Sequence, residues 1–168
     1  MTNQIAILRQ NPIVVADIAA RHNMALANAA DTSRRQVAAR ESFKLNHQRL
    51  TDTLKGWAAY VDANGAGPTQ TPDKYYITVN SMIYSRLGLG KVVRHARKIK
   101  ASVRDWMYPT EALAVASAET AMTEALRDGM AANASRKSIK DEYTRAADRA
   151  RDYFLPLIMA ERVREGAA

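Results

Sequence analysis

The chain has 168 residues and no cysteine. Disulfides, thiolate–zinc sites and a cysteine nucleophile are therefore excluded. Glycine and proline are scarce, at 7 and 5 residues, so interruptions of regular structure must be few. No window approaches the roughly 18 apolar residues of a membrane span. The opening "MTNQIAILRQNP" lacks the basic and long apolar regions of a signal peptide. These absences predict a cytoplasmic protein with no membrane partner.

Acidic residues are missing from one long stretch. Between Asp73 and Asp105 there is none, while Lys74, Arg86, Lys91, Arg94, Arg97, Lys98, Lys100 and Arg104 supply eight positive charges. The formal net charge is +8. The remaining basic and acidic residues, seventeen of each, cancel, so this one segment holds the whole excess. A focused basic field attracts polyanions such as nucleic acid.

What is abundant is alanine, with 31 residues, the best helix former, while the usual strand formers are sparse. The fold class is predicted to be all-α: a helical bundle with a long N-terminal helix or helix pair, then a C-terminal unit of three to four helices. Asn11-Pro12 reads as a helix start, with Asn as cap and Pro at the first turn. From Ile13 to Lys55 there is no Gly or Pro, and the expected break is at "ADTSRRQ", where Ser33 and Gln36 match a capping box. Beyond it Phe43, Leu50, Leu54, Trp57 and Val61 form an apolar stripe, with His47 in its missing position. "DANGAGPTQTPD" (62–73) reads as a linker. The expected organisation is thus an N-terminal helical, oligomer-forming part (1–61), the linker, and a C-terminal part (74–168) carrying the basic segment. "YYITV" (75–79) is the one strand-like run, and it reads as a short strand or as the lead into a helix capped by Asn80 or Ser81.

Three later stripes have helical phase. Val92, Ala96, Ile99, Val103 and Trp106 predict one helix over about 91–107, ending before Pro109. Val115, Ala118, Met122 and Leu126 predict a second, closed by Gly129. Ile139, Tyr143, Ala146, Ala150, Tyr153 and Leu157 predict a third, capped by Ser135 and kinked or interrupted at Pro156.

The segment "RLGLGKVVRHARKIKASVR" (86–104) is no phosphate loop. Gly90-Lys91 is followed by Val92 where a P-loop needs Ser or Thr, and no preceding strand is expected. As a helix it sets its apolar stripe on one face and Lys91, Arg94, Arg97, Lys98, Lys100 and Arg104 on the other faces. These six are the candidate nucleic-acid-binding residues. The lead-in "NSMIYSRLGLGKVVRHARK" reads as a helix-turn-helix, with Gly88 at the position that favours positive φ. Tyr84 and Arg94 depart from that pattern, which favours a small and an apolar residue at those places. Residues 76–130 resemble the helix-turn-helix region of phage antirepressor-type DNA-binding regulators. That resemblance implies a small accessory or regulatory protein of a phage or other mobile element.

The aromatics Tyr75, Tyr76, Tyr84, Trp106 and Tyr108 bracket the basic run. They read either as stacking partners for unpaired bases or as core anchors, and Trp106 continues the apolar stripe. His22, His47 and His95 show no metal-ligand pairing, and no nucleophile elbow or acid–base constellation stands out. The chain is therefore expected to be no enzyme and to hold no cofactor or metal. The expectation is duplex DNA, favoured over RNA, as partner, with a homodimer or higher homo-oligomer formed through the N-terminal helices. The rival reading is a structural protein of a helical assembly, such as a virion component, whose basic face meets an acidic partner.

Overall fold

The computed structural model of the chain describes residues 16–24, 34–64 and 70–166. It is all-helical, with no strand among the described residues. Residues 16–24 are helical (α1) and are followed by α2 (Arg34–Ala63), α3 (Pro72–Arg86), α4 (Gly90–Lys98), a short 3-10 turn (Val103–Trp106), α5 (Pro109–Ala131) and α6 (Arg136–Gly166). Among the described residues no helix is long and apolar enough to cross a membrane. Asn11-Pro12 and the Ser33 cap lie outside the described residues.

The core forms because four helices bring their apolar stripes together. Leu50, Leu54, Trp57 and Val61 of α2, Val79 and Ile83 of α3, Met122 and Leu126 of α5, and Ile139 and Ile158 of α6 are all buried in one cluster. The "YYITV" run is helical, not extended. Pro72 starts the helix where its missing N–H costs nothing, and Tyr75, Val79 and Ile83 then fall on one face with Leu87. The α5–α6 pair packs through alanines, with Ala114, Ala118, Ala146, Ala147 and Ala150 buried. Small side chains let the two backbones approach closely. Gly129 takes this furthest: a Cβ there would sit 2.5 Å from Cγ1 of Ile139. The helix runs past this glycine to Ala131 and closes at Asn133, which takes a positive φ of 50°.

Ser135 caps α6 as expected, its Oγ accepting from the Ser138 amide at 3.1 Å. Pro156 does not interrupt that helix, which is continuous from Arg136 to Gly166. Its expected apolar register fails: Phe154 and Ile158 are buried where Tyr153 and Leu157 were expected. In "YFLPLIMA" every side chain is uncharged, so periodicity cannot distinguish a three-residue step from a four-residue step.

One polar knot is buried among these helices. Glu111, at the third position of α5, is fully buried together with Arg21 of α1. Its carboxylate accepts from Arg21 Nη1 (2.6 Å), Arg21 Nη2 (2.8 Å), Arg162 Nε of α6 (2.8 Å) and the Tyr108 amide (3.0 Å). Arg21 also donates to the Trp106 carbonyl (2.9 Å) and to Asp17 (2.9 Å), and lies over the Tyr108 ring at 4.1 Å. Burial works against its charge, but the hydrogen bonds and charges of Glu111 and Asp17 outweigh that and raise its pKa. Arg162 reaches on to the Gly88 carbonyl at 3.2 Å, and Glu161 accepts from the Thr110 amide at 3.1 Å.

Removing one side of such a knot leaves a buried charge uncompensated. Glu111→Gln is expected to lower unfolding free energy by about 3–5 kcal/mol, measured by urea denaturation. Gly129→Ala is expected to destabilise by about 1–3 kcal/mol although alanine is the better helix former.

Candidate functional site

The segment predicted as one helix over 91–107 is two pieces. Helix α4 has 9 residues and stops at Lys98. Lys100 takes a positive φ of 56°, its amide donates to the Arg97 carbonyl (3.2 Å), and the Ala101 amide reaches back to Ala96 (2.9 Å). That pair of bonds is a Schellman cap, which satisfies the last carbonyls of the helix. The turn before α4 is built the same way: Gly88 has φ 68°, and the Gly88 and Leu89 amides donate to Ser85 (3.1 Å) and Tyr84 (2.8 Å). The chain therefore does run helix, three-residue turn, helix over 72–98, with Leu87 and Leu89 buried as the anchors of the turn.

Val92, Val93 and Ala96 turn inward from α4, while Lys91, Arg94, Arg97 and Lys98 are exposed, as is Lys100 in the cap. Among the described residues none of these five lies within ion-pair distance of a carboxylate. Arg94 and Lys98 stand one turn apart, and like charges at that spacing repel by a few tenths of a kcal/mol. Arg97 and Lys98 also occupy the last turn, where the negative end of the helix dipole partly offsets their repulsion. Ile99, expected in the apolar stripe, is exposed because the helix ends before it.

Two cations of the segment are spoken for. Arg86 pairs with Asp148 of α6 at 2.6 Å. Arg104, beyond the helix break, turns inward: its Nη2 donates to His47 Nδ1 (3.1 Å) and to Glu119 Oε1 (3.4 Å). Glu119 lies on the buried face of α5 with its side chain 1% exposed, and a buried carboxylate needs a cation. His47 Nδ1 also lies 3.4 Å from Glu119 Oε1, and its Nε2 faces Tyr76 Oη at 3.0 Å. Arg104, Glu119, His47 and Tyr76 thus form one part-buried polar cluster.

The aromatics near the basic run serve the interior. Tyr75, Trp106 and Tyr108 are buried, and His95 of α4 packs on Trp106 with ring centroids 4.7 Å apart. Burial raises the Tyr76 pKa and pushes that of Tyr84 up to about 12. Among the described residues no group of His, Asp or Glu is arranged to hold a metal ion. Comparison of the chain with known protein families, with curated proteins and with solved structures finds no match in any of the three.

A phenol whose pKa is raised on folding favours the native state at neutral pH. That contribution is whole below pH 10 and is lost as pH rises through about 12. Denaturant midpoints are expected to fall between pH 10 and 12, and Tyr84→Phe to reduce that dependence, with tyrosinate absorbance marking the ionisation.

Proposed function

We propose that this chain binds nucleic acid, duplex DNA in preference to RNA, through the exposed cations of α4 and its cap. The observation that carries the reading is the set Lys91, Arg94, Arg97, Lys98 and Lys100, exposed on one short helix and its terminus with no carboxylate in ion-pair distance among the described residues. An ordinary solvated face mixes charges of both signs. A face of one sign accepts the repulsion, and phosphates relieve it. The helix-turn-helix connection over 72–98 supports a docking in which α4 approaches the major groove, where arginine forks pair with guanine edges and lysines with phosphates. The likeness of residues 76–130 to phage antirepressor-type regulators points towards an accessory or regulatory role in a mobile element. Arg104 is left out of the contact set, since it serves Glu119.

If all five cations engage phosphates, log K falls with log salt with a slope of about −4.5. Fluorescence anisotropy of labelled duplex, single-stranded DNA and RNA over a range of salt measures this directly. Arg97→Glu combined with Lys98→Glu is expected to abolish binding, while Arg104→Gln leaves the slope unchanged and lowers stability instead. Full affinity in the charge-reversed protein would refute the assignment. Absence of binding at low salt would favour the assembly reading, in which the basic face meets an acidic protein.

A further inference from the structure

Two groups compete for one buried oxygen in the polar cluster beside the basic helix. Glu119 Oε1 lies 3.4 Å from Arg104 Nη2 and 3.4 Å from His47 Nδ1, and those two nitrogens are 3.1 Å apart. The Glu119 side chain is 1% exposed, whereas those of Arg104 and His47 are 28% and 37% exposed. Arg104 makes these contacts through a single nitrogen. Of the elements packed against His47, α5 presents Glu119, the 3-10 turn presents Arg104, and α3 presents Tyr76 with Tyr84 near it. On α2 itself Lys44 is bonded to Glu41 at 2.7 Å. Tyr84 connects the cluster to the basic face. Burial pushes its pKa up to about 12, and the charges of Arg104 and Arg97 both act against that rise. An interior cation and a surface one therefore stand near the same hydroxyl.

We infer that His47 and Arg104 exchange on Glu119: when His47 gains a proton its Nδ1–H takes Oε1, and Arg104 turns outward beside Arg97 as a sixth cation of the nucleic-acid face. What Arg104 then meets rests on the nucleic-acid reading above; the exchange itself does not. It follows from the hydrogen inventory of the ring. A neutral imidazole has one nitrogen lone pair that can accept from an arginine, whereas in the imidazolium both nitrogens are donors. The tautomer of the neutral ring does not enter. Once His47 is charged, Arg104 Nη2 is a donor facing a donor and a cation facing a cation at 3.1 Å. Glu119 Oε1 already stands where the new Nδ1–H can reach it. The buried carboxylate keeps one cationic partner throughout, as its desolvation requires. Protonation thus moves a positive charge from the interior to the surface.

Imidazoles change charge between about pH 8 and pH 5, and the test compares those two ends. The first arm uses the wild-type chain without nucleic acid. Carbon-13 relaxation at Arg104 Cδ should report an ordered side chain at the high pH and a mobile one at the low pH, with order kept at both in His47→Gln. The second arm repeats the anisotropy titrations. The salt slope should steepen from about −4.5 to about −5.4 as a sixth phosphate contact is added. His47→Gln and Arg104→Gln should each hold it near the first value. His22 and His95 both pack on Trp106, so His22→Gln and His95→Gln serve as controls that keep the change. An Arg104 side chain equally ordered at both pH values would overturn the inference, having stayed in place or moved to Glu119 Oε2, which is buried without a partner among the described residues. A steepening that survives Arg104→Gln would also overturn it, since His47 would then be the added cation. Absence of binding at either pH counts against the nucleic-acid reading alone, because the relaxation arm decides the exchange by itself.

Discussion

A single carboxylate fixes the arrangement of this molecule. Glu111 sits at the start of α5 with no exposure to water and receives hydrogen bonds from two arginines and its own helix start. Left alone there it would carry a desolvation penalty that no small domain can absorb. The arginines answer that penalty only in one geometry, and the geometry has reach. Through Arg21 the knot ties down α1 and the Trp106 carbonyl. Through Arg162 it ties α6 to the Gly88 carbonyl, the turn from which the basic helix departs. Apolar packing alone would tolerate sliding between alanine-rich surfaces, whereas charge-assisted hydrogen bonds with fixed directions do not. The direction in which α4 leaves its turn is therefore tied to an ion cluster on the opposite side of that turn.

The same logic explains why the basic segment is less uniform than its composition suggests. Charge within the segment divides according to what lies behind each residue. Arg86 has Asp148 within reach, and Arg104 has Glu119. Of the six that remain, Lys74 is exposed on the first turn of α3, and the five on α4 and its cap have the hydrophobic core behind them and water in front, because Val92, Val93 and Ala96 occupy the inner face. A run of eight positive charges therefore resolves into an interior contribution and a surface one.

Much of this was legible from the chain. Helical phase located the stripes on α2 and α5, the Ser135 cap marked the start of α6, and Gly88 marked the turn. The failures have physical causes. The end of α4 was hidden because Lys100 adopts a left-handed conformation that its side chain does not favour, so no glycine announced the break. The register of α6 was hidden in a run where every residue is uncharged. The knot could have been suspected: Glu111 and Glu119 both fall in phase with Val115, Ala118 and Met122, and a carboxylate on a buried stripe calls for a buried cation. Which cation answers it is a matter of tertiary structure, since Arg21 is 90 residues away from Glu111.

The length of α4 carries its own arithmetic. Nine residues rising 1.5 Å each make a rod of about 14 Å, which is about four base-pair steps of 3.4 Å along a duplex. Four base pairs distinguish only about 256 sequences, and a genome offers millions of competing sites. On the proposed function, one such helix would hold a position on nucleic acid without naming an address there. Selectivity for a single locus would have to come from the number of helices brought to the duplex, their spacing, or the shape of the DNA, and not from the side chains of α4 alone.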